Sequence, residues 1–361
     1  MAGTAIVLPH REAFSADRPG AIALTVAMQL AASPDTASVW GDPLSAPVLV
    51  PAVHYLALDS RPGWPLRQSW RYRWAIQRAV RREAPTRLEI HNRAHLFHEL
   101  SAQPVGLSLY LHNDPQSIRG LKTVGERGRV LARADYVVAV SDFIRQRFCA
   151  GLPAARCARV VTVPNTVDFT RFEPARPKQQ EILFVGRLIP EKGALPLIQS
   201  LQEVLPDFPE WRARFIGAWH FGQTAPRYPH ERELLAQVRP SLSERIQFVG
   251  YQSYDRVTEA FNQAAIVVVP SLWDEPFGRT ALEGMAAGCA VIASNRGGLP
   301  EVLNETGLLV EPTAQALASA LRRLMADETM RQQLGAQAAM RARAVFEPAS
   351  IHQTIHRLRQ G

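Results

Sequence analysis

Short apolar runs alternate with longer helix-like segments along the whole 361-residue chain, and that rhythm leaves few folds open. The runs read "TAIVLP", "APVLVPAV", "RLEIHN", "GLSLYLHN", "YVVAVS" and "RVVTVPN", then "EILFVG", "ARFIGAW", "IQFVG", "AAIVVVPS", "AVIAS" and "TGLLVEP". Strands this apolar are covered on both faces, the condition of a parallel sheet flanked by helices. The chain is also too long for one core at about 100 to 200 residues per domain. Two doubly wound α/β domains are therefore expected.

Prolines and charged residues in "FEPARPKQQ" (Phe172 to Gln180) separate the two strand series. This places a first domain over residues 1–173 and a second over 174–345. The remaining segment, 346–361, reads as a helix whose Ile351, Ile355 and Leu358 share one face. That face can pack back on either domain, the first being favoured.

The net charge of +8 attracts anions such as nucleotides, phosphorylated lipids or nucleic acid, without choosing among them. A nucleic-acid-binding role is disfavoured because no paired RNP motif or zinc spacing is present. The three cysteines, Cys149, Cys157 and Cys289, form neither a disulfide set nor a metal motif. The longest nearly apolar stretch, Ala21 to Ala32, is shorter than the roughly 20 residues a membrane span needs. The N-terminus lacks the charged and apolar regions of a signal peptide, so a cytoplasmic protein is expected.

Two turns carry the chemistry. In "EILFVGRLIPEKG", Gly186 ends a strand, Arg187 and Lys192 follow, and Gly193 closes the loop. A planar fork and a point charge delivered beside a strand end suit a diphosphate. In "DEPFGRTALEGMAAG", Pro276 and Gly278 keep the segment before Arg279 out of the helix that starts there. The first N–H groups of that helix, from Gly278 to Leu282, form an anion site. Glu275 and Glu283 would repel a phosphate unless they point at hydroxyl groups, so sugar and ribose hydroxyls are their natural partners.

With seven residues between its glutamates, "EPFGRTALE" resembles the signature of the family 4 retaining glycosyltransferases. The likeness continues through "FVGRLIPEKG", "VPNTVD", "ADYVVAVSDFIRQRF", "FVGYQSYDRV" and "GGLPEVL" and covers nearly the whole chain, with motif order and spacings specific to that family though not to any one substrate. It implies the GT-B fold, two Rossmann-like domains facing each other across a cleft, with the acceptor bound by the first and the nucleotide-sugar by the second.

Carried over, the resemblance gives Arg187 and Lys192 to the donor diphosphate, Glu275 to the donor sugar and Glu283 to the ribose. It gives the main chain of Phe277, Gly278, Arg279 and Thr280 to sugar hydroxyls and phosphate, and places Tyr251 by the base. In "YLHNDP", His112 would face the donor sugar. In "LEIHNRAHLF", His91, Asn92 and Arg93 fall on the acceptor side. The family's glycine-rich loop after strand one is reduced here to Gly20, assigned to the donor together with Gly186. No Asp-x-Asp triplet suited to a metal-bound diphosphate is present, so no metal or other cofactor is expected. A UDP-sugar donor is favoured over GDP-mannose, because bacterial relatives of this size often use one. A retaining phosphorylase or an epimerase on the same fold is the alternative.

The segment "PLRQSWRYRWAIQRAVRREAP" points to the acceptor. At 100° per residue, Arg67, Arg71, Trp74, Arg78, Arg81 and Arg82 share a face, with Trp70 at its border and Leu66, Ile76, Ala79 and Val80 opposite. A basic and aromatic face suits an anionic lipid surface. The expected protein is peripheral on the inner face of the cytoplasmic membrane, with a glycan or lipid-linked acceptor of lipopolysaccharide type.

Overall fold

The computed structural model describes residues 3–16, 19–31, 37–58, 68–218 and 229–360. The chain divides into two compact units, residues 1–166 with 348–361, and residues 167–347.

The first unit holds β1 (Thr4–Val7), α1 (Ala21–Ala31), β2 (Ala37–Gly41), β3 (Tyr55–Ala57), α2 (Gln68–Glu83) and β4 (Arg87–His91). It continues with α3 (Ala94–Leu100), β5 (Gly106–Leu111), α4 (Val124–Arg133), β6 (Tyr136–Ala139), α5 (Asp142–Cys149) and β7 (Val160–Thr162). Its sheet has the order β3-β2-β1-β4-β5-β6-β7, with parallel pairing throughout.

The second unit runs through β8 (Gln179–Val185), α6 (Ala194–Val204), β9 (Arg212–Ile216), α7 (Pro229–Ala236), β10 (Ile246–Phe248), α8 (Tyr254–Gln263) and β11 (Ala264–Val269). After it come α9 (Arg279–Ala286), β12 (Ala290–Ser294), α10 (Leu299–Leu303), β13 (Leu308–Val310), α11 (Ala314–Ala326) and α12 (Glu328–Phe346). The sheet order is β10-β9-β8-β11-β12-β13, again parallel. Strand β11 is buried along its full length, as "AAIVVV" between two helical layers requires.

The chain passes between units at Val167, earlier than the proline-rich segment suggests. The reason is packing. Phe172 lies 6.4 Å from the ring of Phe261, and the Asn262 side chain both donates to the Arg171 carbonyl and accepts the Glu173 N–H. The final helix, α13 (Pro348–Gln360), belongs to the first unit, where Ile351 and Ile355 pack among Tyr110, Tyr136 and Val138.

One strand reading needs correction. "APVLVPAV" forms only an isolated bridge from Val48 to Ser15, since Pro47 and Pro51 cannot donate to a ladder. On that side of the sheet β1 is followed by β2 and then by β3 at the edge, whose sequences "ASVWG" and "YLA" are too short and mixed to stand out.

Candidate active site

Open parallel sheets take ligands outside the carboxyl ends of their strands, where the strand order reverses. In the second unit that point lies between β8 and β11. The chain leaves β8 through Gly186 and Arg187 and reaches α6 by a single 3-10 turn, Pro190–Lys192. Gly193 closes the turn with φ of 71°, and a Cβ there would lie 1.8 Å from the Pro270 carbonyl oxygen. Only glycine lets this turn press against the one after β11. The Leu272 N–H then donates to the Glu191 carbonyl at 2.8 Å, and from the turn after β12 the Gly298 N–H donates to the Glu275 carbonyl at 2.7 Å. Three turns remote in sequence are thus bonded together at one sheet edge.

Their side chains meet there. Lys192 Nζ lies 2.6 Å from Glu275 Oε1, and the same oxygen accepts the Ser271 hydroxyl at 2.6 Å. The Lys192 ammonium also sits 5.1 Å from the centre of the Trp273 ring. Burial would by itself push the Glu275 carboxyl up. The charge and hydrogen bond of Lys192, with hydrogen bonds from Ser271 and Trp273, outweigh it and hold the group below the usual carboxylate range. Arg187 is exposed at the end of β8 and makes no ion pair among the described residues.

Helix α9 starts at this edge. Gly278 is its N-cap, without a side-chain cap, and the N–H groups of Arg279, Thr280 and Ala281 have no acceptor among the described residues. The Thr280 hydroxyl reaches the Val185 carbonyl at 3.4 Å, tying the helix start to β8. Phe277 turns its ring inward against Phe346, 5.6 Å away, so its main chain alone borders the turn. One turn into α9, Glu283 Oε1 accepts from Arg279 Nε at 2.9 Å and from the Tyr254 hydroxyl at 3.3 Å. Burial first, and Glu283 next, push the Tyr254 phenol up to about 12. Half-buried Tyr251 lies between β10 and α8, on the same edge of the sheet.

Sequence motifs assign only the main chain of Arg279, yet its guanidinium already holds Glu283. The i,i+4 spacing of the two carried that signal. Trp273 and Tyr254 were not legible as site residues, because what recruits them is a partner on another segment, Lys192 for the one and Glu283 for the other, and Ser271 became legible only with its bond to Glu275.

In the first unit the strand order reverses between β1 and β4. Strand β4 ends at His91, followed by Asn92 with φ of 54° and by half-buried Arg93, the N-cap of α3. His112 follows β5. His91 Nδ1 and His112 Nε2 are 2.9 Å apart, and the His112 N–H donates to Asn92 Oδ1 at 2.8 Å. Burial, reinforced by Arg359, brings His91 down to about 3, and burial with His91 nearby takes His112 well below its ordinary value. Both rings are neutral at pH 7.

This geometry bears on two residues given to the acceptor side, His91 and Asn92. His91 is fully buried and stacked on Tyr110 at 4.5 Å, and Asn92 is 5% exposed with its side chain engaged by His112. Both support His112.

Gly20, given to the donor by the resemblance, packs against a carboxylate. A Cβ on it would lie 2.0 Å from Glu12 Oε1, and that oxygen accepts the N–H groups of Ile22 at 2.8 Å and Ala23 at 3.0 Å. The N-terminus of α1 is met by the chain's own carboxylate, and Gly20 makes room for it.

Helix α2 has the two faces its sequence predicts. Tyr72, Ile76, Ala79 and Val80 are buried, while Trp70 and Trp74 are 49% and 53% exposed and Arg78, Arg81 and Arg82 stand in solvent. Arg71 is half-buried, at the margin of the basic face. Leu66 and Arg67 lie outside the described residues. Between α2 and β3 opens a hollow of about 420 Å³ bordered by Arg78, Arg81 and Arg82.

Comparison with known proteins bears on both units. The model for Glycosyltransferase Family 4 matches residues 24–171, and that for Glycosyl transferases group 1 matches residues 167–341. Spore coat protein SA of Bacillus subtilis is 30% identical over 232 residues, 58% of this chain and 60% of its own length. A D-inositol 3-phosphate glycosyltransferase of Kineococcus radiotolerans is 32% identical over 65% of this chain and 59% of its own length. The match to this chain thus spans about three fifths of either relative. Among solved structures, Anabaena HepE in complex with UDP and glucose superposes with a TM-score of 0.80 at 19% identity, over 99% of both chains. Sucrose-phosphate synthase from Thermosynechococcus elongatus gives 0.79 at 21% identity, over 99% of this chain and 98% of its own. The structural likeness establishes the fold and the two family models meet where the chain passes between its units, so the chain belongs to the family 4 glycosyltransferases of the GT-B fold.

Proposed function

We propose that the protein is a retaining hexosyltransferase that moves a sugar from a nucleotide-sugar, a UDP-sugar before GDP-mannose, to a lipid-linked or lipopolysaccharide-type acceptor without a metal. The observation that carries this reading is the Lys192–Glu275 pair held beside an uncapped α9 N-terminus at the strand edge. Lys192, Arg187 and the α9 N–H groups meet the donor diphosphate, and Glu275 takes a hydroxyl of the donor sugar. Glu283, oriented by Arg279, takes the ribose, with Tyr251 by the base. In the reaction the bond from the anomeric carbon to the phosphate oxygen breaks as the acceptor oxygen attacks from the same face. The acceptor proton passes to the departing phosphate oxygen. Negative charge grows on the diphosphate, and preorganised cations and N–H groups stabilise it most in the transition state. Anabaena HepE, crystallised with UDP and with UDP-glucose, supports ranking a UDP-sugar first.

The role given to cations leads to a direct test. Transfer from a UDP-sugar is expected to continue in excess chelator, and complete loss restored by magnesium or manganese would overturn the metal-free reading.

The basic face of α2 supports the lipid-linked acceptor, and no described helix is long and apolar enough to cross a membrane. The enzyme docks on the inner face of the cytoplasmic membrane, each arginine adding about 1 kcal/mol at an anionic surface. Co-sedimentation at low salt is expected to favour anionic over neutral vesicles, and changing Arg78, Arg81 and Arg82 to glutamate to abolish the preference. Equal recovery on both vesicle types would reduce the face to ordinary surface.

A further inference from the structure

His112 and His91 share one hydrogen bond, at 2.9 Å between His91 Nδ1 and His112 Nε2, with the rings 5.1 Å apart and inclined by 20°. Of two neutral imidazoles so joined, one nitrogen donates and the other accepts. The surroundings of His91 decide which. Its ring is fully buried against Tyr110, and its Nε2 is shut from solvent with no hydrogen-bond partner. A proton on Nε2 would make an orphaned buried donor, which folded proteins almost never keep. A bare lone pair there is the cheaper state. Burial and the Arg359 charge oppose a second proton on His91, so its single proton lies on Nδ1.

His112 must then accept at Nε2 and carry its own proton on Nδ1. The ring is half-buried, and Nδ1 has no partner among the described residues and is not shut away from solvent. The Asn92 side chain fixes the backbone of the same residue at 2.8 Å.

We infer that His91 is a positioning residue that fixes His112 as the Nδ1–H tautomer, so that His112 meets substrate as a hydrogen-bond donor and not as a base. The inference rests on the transferase reading for the identity of that substrate, in which the acceptor on His112 is a hydroxyl oxygen of the donor sugar. It assigns no proton transfer to His112, in keeping with a reaction whose proton goes to the leaving phosphate.

Nitrogen-15 correlation spectra of the wild-type protein test the tautomer without any substrate. With the His112 signals assigned by loss in His112→Phe, Nδ1 is expected protonated and Nε2 bare at neutral pH. His91→Phe, which keeps the stack on Tyr110 and deletes the donor, should give His112 a mixture of tautomers and lower kcat about tenfold, with less change in KM. His91→Asn, whose amide can donate from the position of Nδ1, should restore the Nδ1–H form. A wild-type His112 protonated on Nε2, or an imidazolium at neutral pH, overturns the inference. Failure of the transferase reading shows separately, as no sugar transfer from any nucleotide-sugar by a wild-type protein with the expected spectrum.

Discussion

Lys192→Ala is expected to lower kcat by about 10²- to 10³-fold, the loss that follows removal of one preorganised group from a developing anion. Arg187→Ala should act in the same direction through the same diphosphate. The two differ in what they leave behind. Arg187 is exposed and unpaired among the described residues, so its loss should leave stability unchanged. Lys192 is the cation that offsets the burial of Glu275, a side chain only 8% exposed. Without it burial dominates, and the Glu275 pKa in the folded protein rises above its unfolded value. Such a group stabilises less as pH rises, so the melting-temperature deficit of Lys192→Ala should grow from about pH 4 to pH 7. Adding Glu275→Gln should remove that deficit without restoring kcat. Glu275→Gln alone should cost at least about tenfold in rate, since a hydrogen bond to a charged group contributes about 1.5 to 3 kcal/mol. A folded Lys192→Ala enzyme turning over at the wild-type rate would remove Lys192 from the diphosphate site.

The parts of this site that were legible in the sequence are those built from contiguous residues. Gly186 to Gly193 and Asp274 to Gly288 each contain a strand end, a turn signal and a helix start, so local pattern places Arg187, Lys192, Glu275 and Glu283 without tertiary information. Residues whose role depends on a distant partner could not be read. Glu12 looks like one more loop carboxylate until it is seen on the N–H groups of Ile22 and Ala23. His91 is given to the acceptor side only by the resemblance of "LEIHNRAHLF" to a family segment, and the register that sets it beside Tyr110 buries it. The same limit explains "APVLVPAV", where apolar content suggested a strand and two prolines prevented one. Arg359 carried no local signal at all.

Arg359→Ala is expected to destabilise the first unit by about 3 to 5 kcal/mol, the range found when one partner of a buried ion pair is removed. The guanidinium of Arg359 binds Glu89 through two hydrogen bonds, of 2.8 Å from Nε and 2.7 Å from Nη2. The side chains are 6% and 1% exposed. The Tyr136 hydroxyl donates to the same carboxylate at 2.9 Å, and Arg87 donates to the Arg359 carbonyl, so the end of α13 is fastened to β4 and β6. Burial would push the Glu89 carboxyl up, but the charge and hydrogen bonds of Arg359, with the Tyr136 hydroxyl, hold it below its usual range. A depressed folded pKa gives stability that is complete above the unfolded value and lost as pH falls through the folded one. The gap in unfolding free energy between wild type and Arg359→Ala should therefore be widest near neutral pH and narrow in acid. The double change Glu89→Gln with Arg359→Met should recover most of the loss, because two partners of matched volume leave no buried charge alone. Denaturant unfolding of the three proteins at two pH values decides the matter: an Arg359→Ala midpoint equal to wild type at pH 7 would mean that α13 is held by Ile351 and Ile355 alone.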